Sequence, residues 1–338
     1  MKNVLIVSLL VMLVGVGIWV VHDGRLPFNG GQSASIRDGT PQQEPLATEY
    51  TGVAAELLAV LDYDLLPEAS GLGVSGLDPQ RLWLINDSGS RSELVALDLA
   101  RQSFTRINIL DTPNKDWEDL EVFRYEGVPW MVVADVGDNK SRRAKVTLYF
   151  LPEPVADERR VRVHTTMTLS YPDGPRDVES IAVDPLTNTL YLLSKRDHFP
   201  RLYAIALPEL GEQRSFIVEP TLLGEIRSIP GPTKDELERF PKYGKNRAQP
   251  TGMSHLPDGS GVALLTYGGS YVAPLGPDRN WLRALNDSLC PVPRPELKQA
   301  ESIAGDLEGR IYITSEGKES PLLRLKPARG CFLNENPG

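Results

Sequence analysis

The 338-residue chain carries two cysteines and four histidines. No Cys-x-x-Cys pair or Cys/His cluster occurs, so nothing has the ligand spacing of a zinc site. There is no Gly-x-Ser-x-Gly elbow for a serine hydrolase. Basic residues are outnumbered, 36 Lys and Arg against 45 Asp and Glu, and the net charge of -9 speaks against a nucleic-acid backbone as partner. Helical periodicity is almost missing after the first 21 residues. The stretch GLGVSG at 71–76 has the letters of a dinucleotide-binding glycine loop, but LDPQRLWLIND follows it. That continuation reads as a turn and a strand, where the nucleotide fingerprint needs a helix.

One long apolar run is present. Residues 4–21, VLIVSLLVMLVGVGIWVV, hold no charge, and as a helix they nearly match the ~30 Å hydrocarbon core of a bilayer. Lys2 supplies the positive flank expected on the cytoplasmic side. The run is longer than the apolar part of most signal peptides and ends in Ile18, Trp19, Val20 and Val21 without a small-x-small site. We therefore expect an N-terminal transmembrane helix over 1–21 that anchors the chain in the inner membrane, with a cleaved signal as the alternative. Either one exports the remainder to the periplasm or the extracellular side. Residues 22–47, rich in Gly, Pro, Ser and Gln, read as a flexible linker, and the folded domain is expected over 48–338. In an exported protein Cys290 and Cys331 can form one disulfide across the C-terminal part of the domain, and two free thiols are the other reading.

The domain is repetitive. EASGLGVSGLDPQRLWLINDSG from Glu68, DWEDLEVFRYEGVPWMVVADVGDN from Asp116, DVESIAVDPLTNTLYLLSKRD from Asp177, QPTGMSHLPDGSGVALLTYGG from Gln249 and QAESIAGDLEGRIYITSEG from Gln299 share one order of events. A polar stretch and an aliphatic anchor lead through a turn into a β-branched or aromatic strand, which ends in a polar cluster. The anchors are Leu72, Leu120, Ile181, Met253 and Ile303, spaced by 48, 61, 72 and 50 residues. Further strand-like segments follow each repeat. This pattern predicts an all-β fold, a β-propeller of five blades, with a sixth hidden in the 72-residue interval as the alternative. Residues 230–248 read as an insertion with a short helix begun by Thr233 and Glu236. Residues 53–63 read as a strand that completes the last blade and closes the ring.

In a propeller the start of each inner strand and the end of the second strand open on one face. That brings together Glu118, Glu179 and Glu301, each two residues before its anchor, with Ser70 and Thr251 at the same place in the other repeats. The strand ends add Asn86, Asp87, Asp135, Asp138, Asn139, Lys195, Arg196, Tyr267 and Glu316. Carboxylates crowded at a narrow mouth raise one another's pKa unless a cation intervenes. Calcium, which accepts six to eight oxygen ligands, is the expected cofactor, held by Glu118, Glu179, Glu301, Asp87, Asp135 and Asn139. Lys195, Arg196 and Tyr267 are the candidate contacts to a small-molecule ligand. The competing reading is structural: acidic side chains that cap turns and backbone N–H groups of the next blade. Trp83, Trp117 and Trp130 are expected to pack between blades. The run NKSRRAK at 139–145 is expected to be a solvated basic loop.

The elements EASGL, NDSG, DWEDL, DVGDN, YPDG with DVESIAVDP, and LLSKR resemble a group of exported bacterial propeller proteins of undefined activity, over residues 60–320. More loosely the chain is similar to calcium-dependent propeller hydrolases of the gluconolactonase, paraoxonase and phytase-like esterase type. That likeness implies a calcium ion at the channel mouth polarising an ester, lactone or phosphoester oxygen. The sequence departs from it in lacking a histidine base there, since His22 and His164 lie outside the repeats and His198 and His255 fall away from the ligand positions. Together these readings point to a hydrolase or to a non-catalytic binding propeller of the envelope.

Overall fold

The structure, a computed structural model, describes residues 55–155, 157–211, 214–287 and 289–332. The apolar run at 4–21 and the linker at 22–47 lie outside the described residues. Among those described, no helix is long and apolar enough to cross a membrane.

The described residues form five sheets, antiparallel except for one added outer strand in each of two, and their inner strands neighbour one another around a ring. Outward from the axis, blade 1 runs through Ala69–Val74, Arg81–Asn86, Glu93–Asp98 and Ser103–Leu110. Blade 2 comprises Trp117–Tyr125, Val128–Asp135, Val146–Pro152 and Thr165–Leu169, and blade 3 Val178–Asp184, Thr189–Ser194, Arg201–Ala206 and Thr221–Glu225. Blade 4 is Pro250–His255, Gly261–Thr266, Ser270–Pro274 and Cys290–Pro291. Blade 5 is Ala300–Gly305, Ile311–Ser315 and Pro321–Leu325, completed from the other end of the chain by Ala55–Val60. Among the described residues the long interval before Met253 therefore contains no sixth blade.

The core follows from this geometry. A strand exposes side chains to both faces of its sheet, so each blade buries apolar residues against both neighbours. The result is five separate apolar wedges, one per blade interface. Each anchor is fully buried and packs against the preceding blade: Leu72 on blade 5, Leu120 on blade 1, Ile181 on blade 2, Met253 on blade 3 and Ile303 on blade 4. Trp83 and Trp117 fill the wedge between blades 1 and 2, and Trp130 the next one.

Closure is by strand pairing: Ala55 lies opposite Leu325 and Val60 opposite Pro321, antiparallel. Two further strands cross between blades. Arg160–Arg162, from the blade 2 segment, adds a parallel fifth strand to blade 1, and Arg214–Val218, from the blade 3 segment, does the same for blade 2. Cys290 and Cys331 are disulfide-bonded, tying the outer strand of blade 4 to the chain beyond blade 5. The insertion holds the short helix Lys234–Arg239 with a capping box between Thr233 and Glu236. It lies beside the mouth, where the Gly268 N–H donates to the Arg247 carbonyl at 2.8 Å.

Candidate functional site

One local device repeats five times. The pairing of each inner strand with its neighbour slips by one residue at Ala69/Gly71, Trp117/Asp119, Val178/Ser180, Pro250/Gly252 and Ala300/Ser302. The residue inside each slip is Ser70, Glu118, Glu179, Thr251 or Glu301. A β-bulge leaves its extra residue unpaired and re-aims the side chain, so the five positions singled out in the sequence are the five bulged ones.

A second repeated bond builds the rim. The backbone carbonyls of Glu68, Asp116, Asp177, Gln249 and Gln299 accept N–H groups from Asp87, Gly137, Lys195, Tyr267 and Glu316, at 2.9 to 3.3 Å. These five acceptors stand two residues before the bulged ones and provide the outer ring. The five donors leave the second strands and provide the third ring.

The rings fill unequally. Ser70 donates to the Trp117 carbonyl (3.0 Å) and Thr251 to the Ala300 carbonyl (2.7 Å), so at blades 1 and 4 the bulged side chain ties neighbouring blades together. The three glutamates do otherwise. Glu118, nearly wholly buried, hydrogen-bonds Glu179. Glu179 is 2.8 Å from Lys195 Nζ, and Glu301 lies 3.8 Å from the same ammonium while accepting from the Tyr267 hydroxyl at 2.7 Å. Lys195 Nζ also sits 4.9 Å from the centre of the Tyr267 ring. Two sets of three carboxylates have ligand atoms within 4.8 Å of one another: Asp87, Asp116 and Glu118, and Glu118, Asp177 and Glu179.

The electrostatics follow from burial. Desolvation, with the Glu179 and Asp87 charges added, pushes Glu118 well above the usual carboxylate range. Burial and Asp87 raise Asp116 to about 6, burial raises Glu301 to about 8, and burial with Asp87 and Glu68 raises Glu316 to about 7. Lys195 is driven the other way from a buried lysine: desolvation opposes its charge, but Glu179 and Glu301 outweigh that and hold it protonated.

Of the expected ligands, Glu301 belongs to neither carboxylate set and is taken up by Lys195 and Tyr267, and two more stand elsewhere. The Asp135 carboxylate is wholly buried and taken by the Arg143 guanidinium, with the Lys115 N–H at 3.2 Å. The ring position of blade 2 falls to Gly137, two residues later, because the repeated bond to the Asp116 carbonyl comes from there. Asn139 is exposed and accepts from Arg196, which also pairs with Asp177. Asp119 has a structural place. It lies on the axis below Glu118, accepting the N–H groups of Leu120 (2.8 Å), Ile181 (2.8 Å) and Met253 (3.5 Å). Glu121 extends this floor, accepting the His255 N–H at 3.0 Å. His255 itself ends the inner strand of blade 4, away from the mouth, with Nε2 2.7 Å from Arg279.

Asp119 thus joins three blades through backbone donors. Asp119→Ala leaves those buried donors unsatisfied, and we expect a loss of about 3–5 kcal/mol, read as a lowered denaturation midpoint. Asp119→Asn keeps one acceptor oxygen and should lose less. Equal losses for the two would refute this role.

Asp116 and Asp177 complete the carboxylate sets, and sequence reasoning gave them no ligand role. Their signal was available: all five residues two places before the bulge, Glu68, Asp116, Asp177, Gln249 and Gln299, are polar.

Fold and site together define a five-bladed β-propeller with an acidic cup at one end of its channel. No protein-family model and no curated protein matches the sequence. Among solved structures, the chain is similar to a PQQ-bound aldose sugar dehydrogenase from Streptomyces coelicolor, at 10% identity and TM-score 0.41, over 81% of this chain and 98% of that one. It is also similar to an auxiliary nutrient binding protein from Bacteroides thetaiotaomicron (10%, TM-score 0.42, 80% and 75%). A third is the calcium-binding protein regucalcin from Agrobacterium tumefaciens (12%, TM-score 0.35, 76% and 70%). The blade count rests on the strand pairing of this chain.

Proposed function

We propose that the cup binds a hard divalent cation, calcium by the chemistry of its donors, together with an oxygen of a small ligand. The observation that carries this reading is the shared position of Glu118 in two carboxylate sets, each with ligand atoms within 4.8 Å. Lys195 pairs with Glu179 and Glu301, and Arg196 with Asp177, whereas Asp87, Asp116 and Glu118 form no ion pair among the described residues. Like charges so placed need protons or a cation.

The donor set fits calcium. It is all oxygen, without sulfur or imidazole, and calcium tolerates irregular oxygen cages. Among the described residues the wholly buried Ser180 Oγ, next to Glu179 in the chain, has no hydrogen-bond partner, so a water or ligand oxygen would complete it. Asp87, Asp116, Glu118, Asp177 and Glu179 would hold the ion.

When bound, the ion would supply Lewis-acid polarisation of a carbonyl or phosphoryl oxygen, so a small ester or phosphoester is the substrate class we infer. Lys195 and Tyr267 fix Glu179 and Glu301 around that position, and the partly exposed Arg196 faces an anionic group. Binding without turnover is the second reading, favoured by the complete engagement of Lys195 within the network. A screen of lactones, aryl esters and phosphoesters with and without calcium separates the two. We further infer an anchored, exported protein from the apolar run at 4–21 and the disulfide, which belongs to an oxidising compartment.

The pH dependence gives a direct test. Asp116, Glu316 and Glu301 have native values near 6, 7 and 8, above the roughly 4 of unfolded carboxyls. Between those limits the native state binds more protons, so its stability falls as pH rises. In chelator the melting temperature should drop from pH 5 to pH 8, and calcium should restore much of the loss. A melting temperature indifferent to calcium at pH 8, with no heat of binding, removes the cation from the proposal.

A further inference from the structure

The loop joining the second and third strands of blade 2 is the longest of its kind on the mouth face. It spans 136–145, against 87–92, 195–200, 267–269 and 316–320 in the other blades. It is also held from within. The Arg143 guanidinium turns inward onto the Asp135 carboxylate and the Gly137 carbonyl (2.7 Å), and the Arg143 N–H donates to the Asp138 carboxylate. The Ser141 N–H donates to the Asp138 carbonyl at 2.7 Å, and Ser141 has φ of 47°, a left-handed turn conformation uncommon for serine. On its inner side the loop is fastened to the carboxylate cluster, because the Asp138 N–H donates to Asp177 at 2.8 Å and Asn139 accepts from Arg196.

The outward side carries Lys140, Arg142 and Lys145, all exposed and without an acidic partner among the described residues, with Lys115 exposed on the adjoining loop. A protein of net charge -9 has acidic residues available to pair with such cations. Here Asp135, which ends the preceding strand, and the loop's own Asp138 are turned inward to clamp Arg143. Three exposed cations thus fall within six residues of a loop held from within, and an anion arriving among them would need little ordering of the backbone.

We propose that residues 138–145 form an anion-docking shelf at the edge of the cup, so that the ligand carries a second anionic group, phosphate or carboxylate, besides the oxygen held at the carboxylate cluster. The position of that second group rests on the cation reading, but anion capture by the shelf does not. The shelf selects dianionic or longer ligands over neutral ones, since a ligand seated at Asp177 and Arg196 reaches the loop fastened to both.

The test uses inorganic tripolyphosphate as the probe, titrated into the full-length protein in calcium-free buffer at about 0.1 M salt, where exposed charges beyond roughly 10 Å are screened. The wild type should bind, and the K140A/R142A/K145A variant should bind about tenfold more weakly, roughly 1.4 kcal/mol. Arg143 is left in place to preserve the loop, and an unchanged melting temperature confirms the fold. Glu118→Gln should leave tripolyphosphate affinity within about twofold while removing the calcium response, so each reading can fail alone. Absence of binding by the wild type, or equal affinity in the triple variant, overturns the shelf.

Discussion

If the cup holds calcium as proposed, Glu118→Gln is expected to abolish the calcium response, weakening affinity on the order of a hundredfold or more, because the carboxylate shared by both sets loses its charge. The fold should be indifferent to the change, or gain. Burial already pushes the Glu118 carboxyl toward its neutral form, and the amide matches that form in shape and charge. In chelator at pH 8 the variant should therefore melt at or above the wild-type temperature, while added calcium no longer shifts it. A companion variant reaches the same end by sterics. A Cβ built on Gly137 would lie 1.9 Å from Glu118 Oε1 and 2.7 Å from Asp116 Oδ2, so Gly137→Ala must displace both carboxylates. Gly137 is not among the positive-φ glycines, so its backbone accepts alanine, and lost calcium binding with a preserved fold is the expected result. Calorimetry with calcium on both variants checks it; wild-type affinity in both would move the ion away from Glu118.

The second large effect concerns closure. Starting the chain at residue 55 should preserve the ring, and starting it at residue 61 should destroy it. Ala55–Val60 covers the outer edge of Pro321–Leu325, buries Ala55 and Ala59, and brings Leu57 and Leu58 against the apolar wedges on either side of blade 5. Losing that strand forfeits roughly 5 kcal/mol of pairing and burial, comparable with the whole stability of many domains, about 5–15 kcal/mol. It also uncovers a strand edge prone to association. The shorter protein should be aggregated or unfolded by circular dichroism and gel filtration, and a monodisperse folded product would show that blade 5 stands without its closing strand.

Much of this architecture was legible in the sequence because it is carried by local patterns. Five aliphatic anchors marked five blades, and 53–63 reads as the closing strand because it precedes the first repeat. The bulged positions were legible as positions, since a glutamate recurring two residues before an anchor is a periodic signal. What each side chain then touches was not. Asp135 and Gly137 are two residues apart where strand passes into loop, and only the bond from Gly137 to the Asp116 carbonyl decides which one occupies the ring. Asp119 and Glu121 look like solvent-facing charges in a strand, yet they close the axis, because the donors they satisfy belong to blades 3 and 4. Such partners lie more than 60 residues away, beyond any periodic signal. Lys195 was read as a ligand contact, and its engagement with Glu179, Glu301 and Tyr267 depends on three blades meeting.

The closing strand also fixes a direction. It enters beside Leu325, where the last blade ends away from the cup, and climbs toward Pro321 and the mouth. Ala55, the first described residue, therefore stands at the underside of the ring. A label or cross-linker placed on residue 55 itself would sit on the face opposite the opening of the cup.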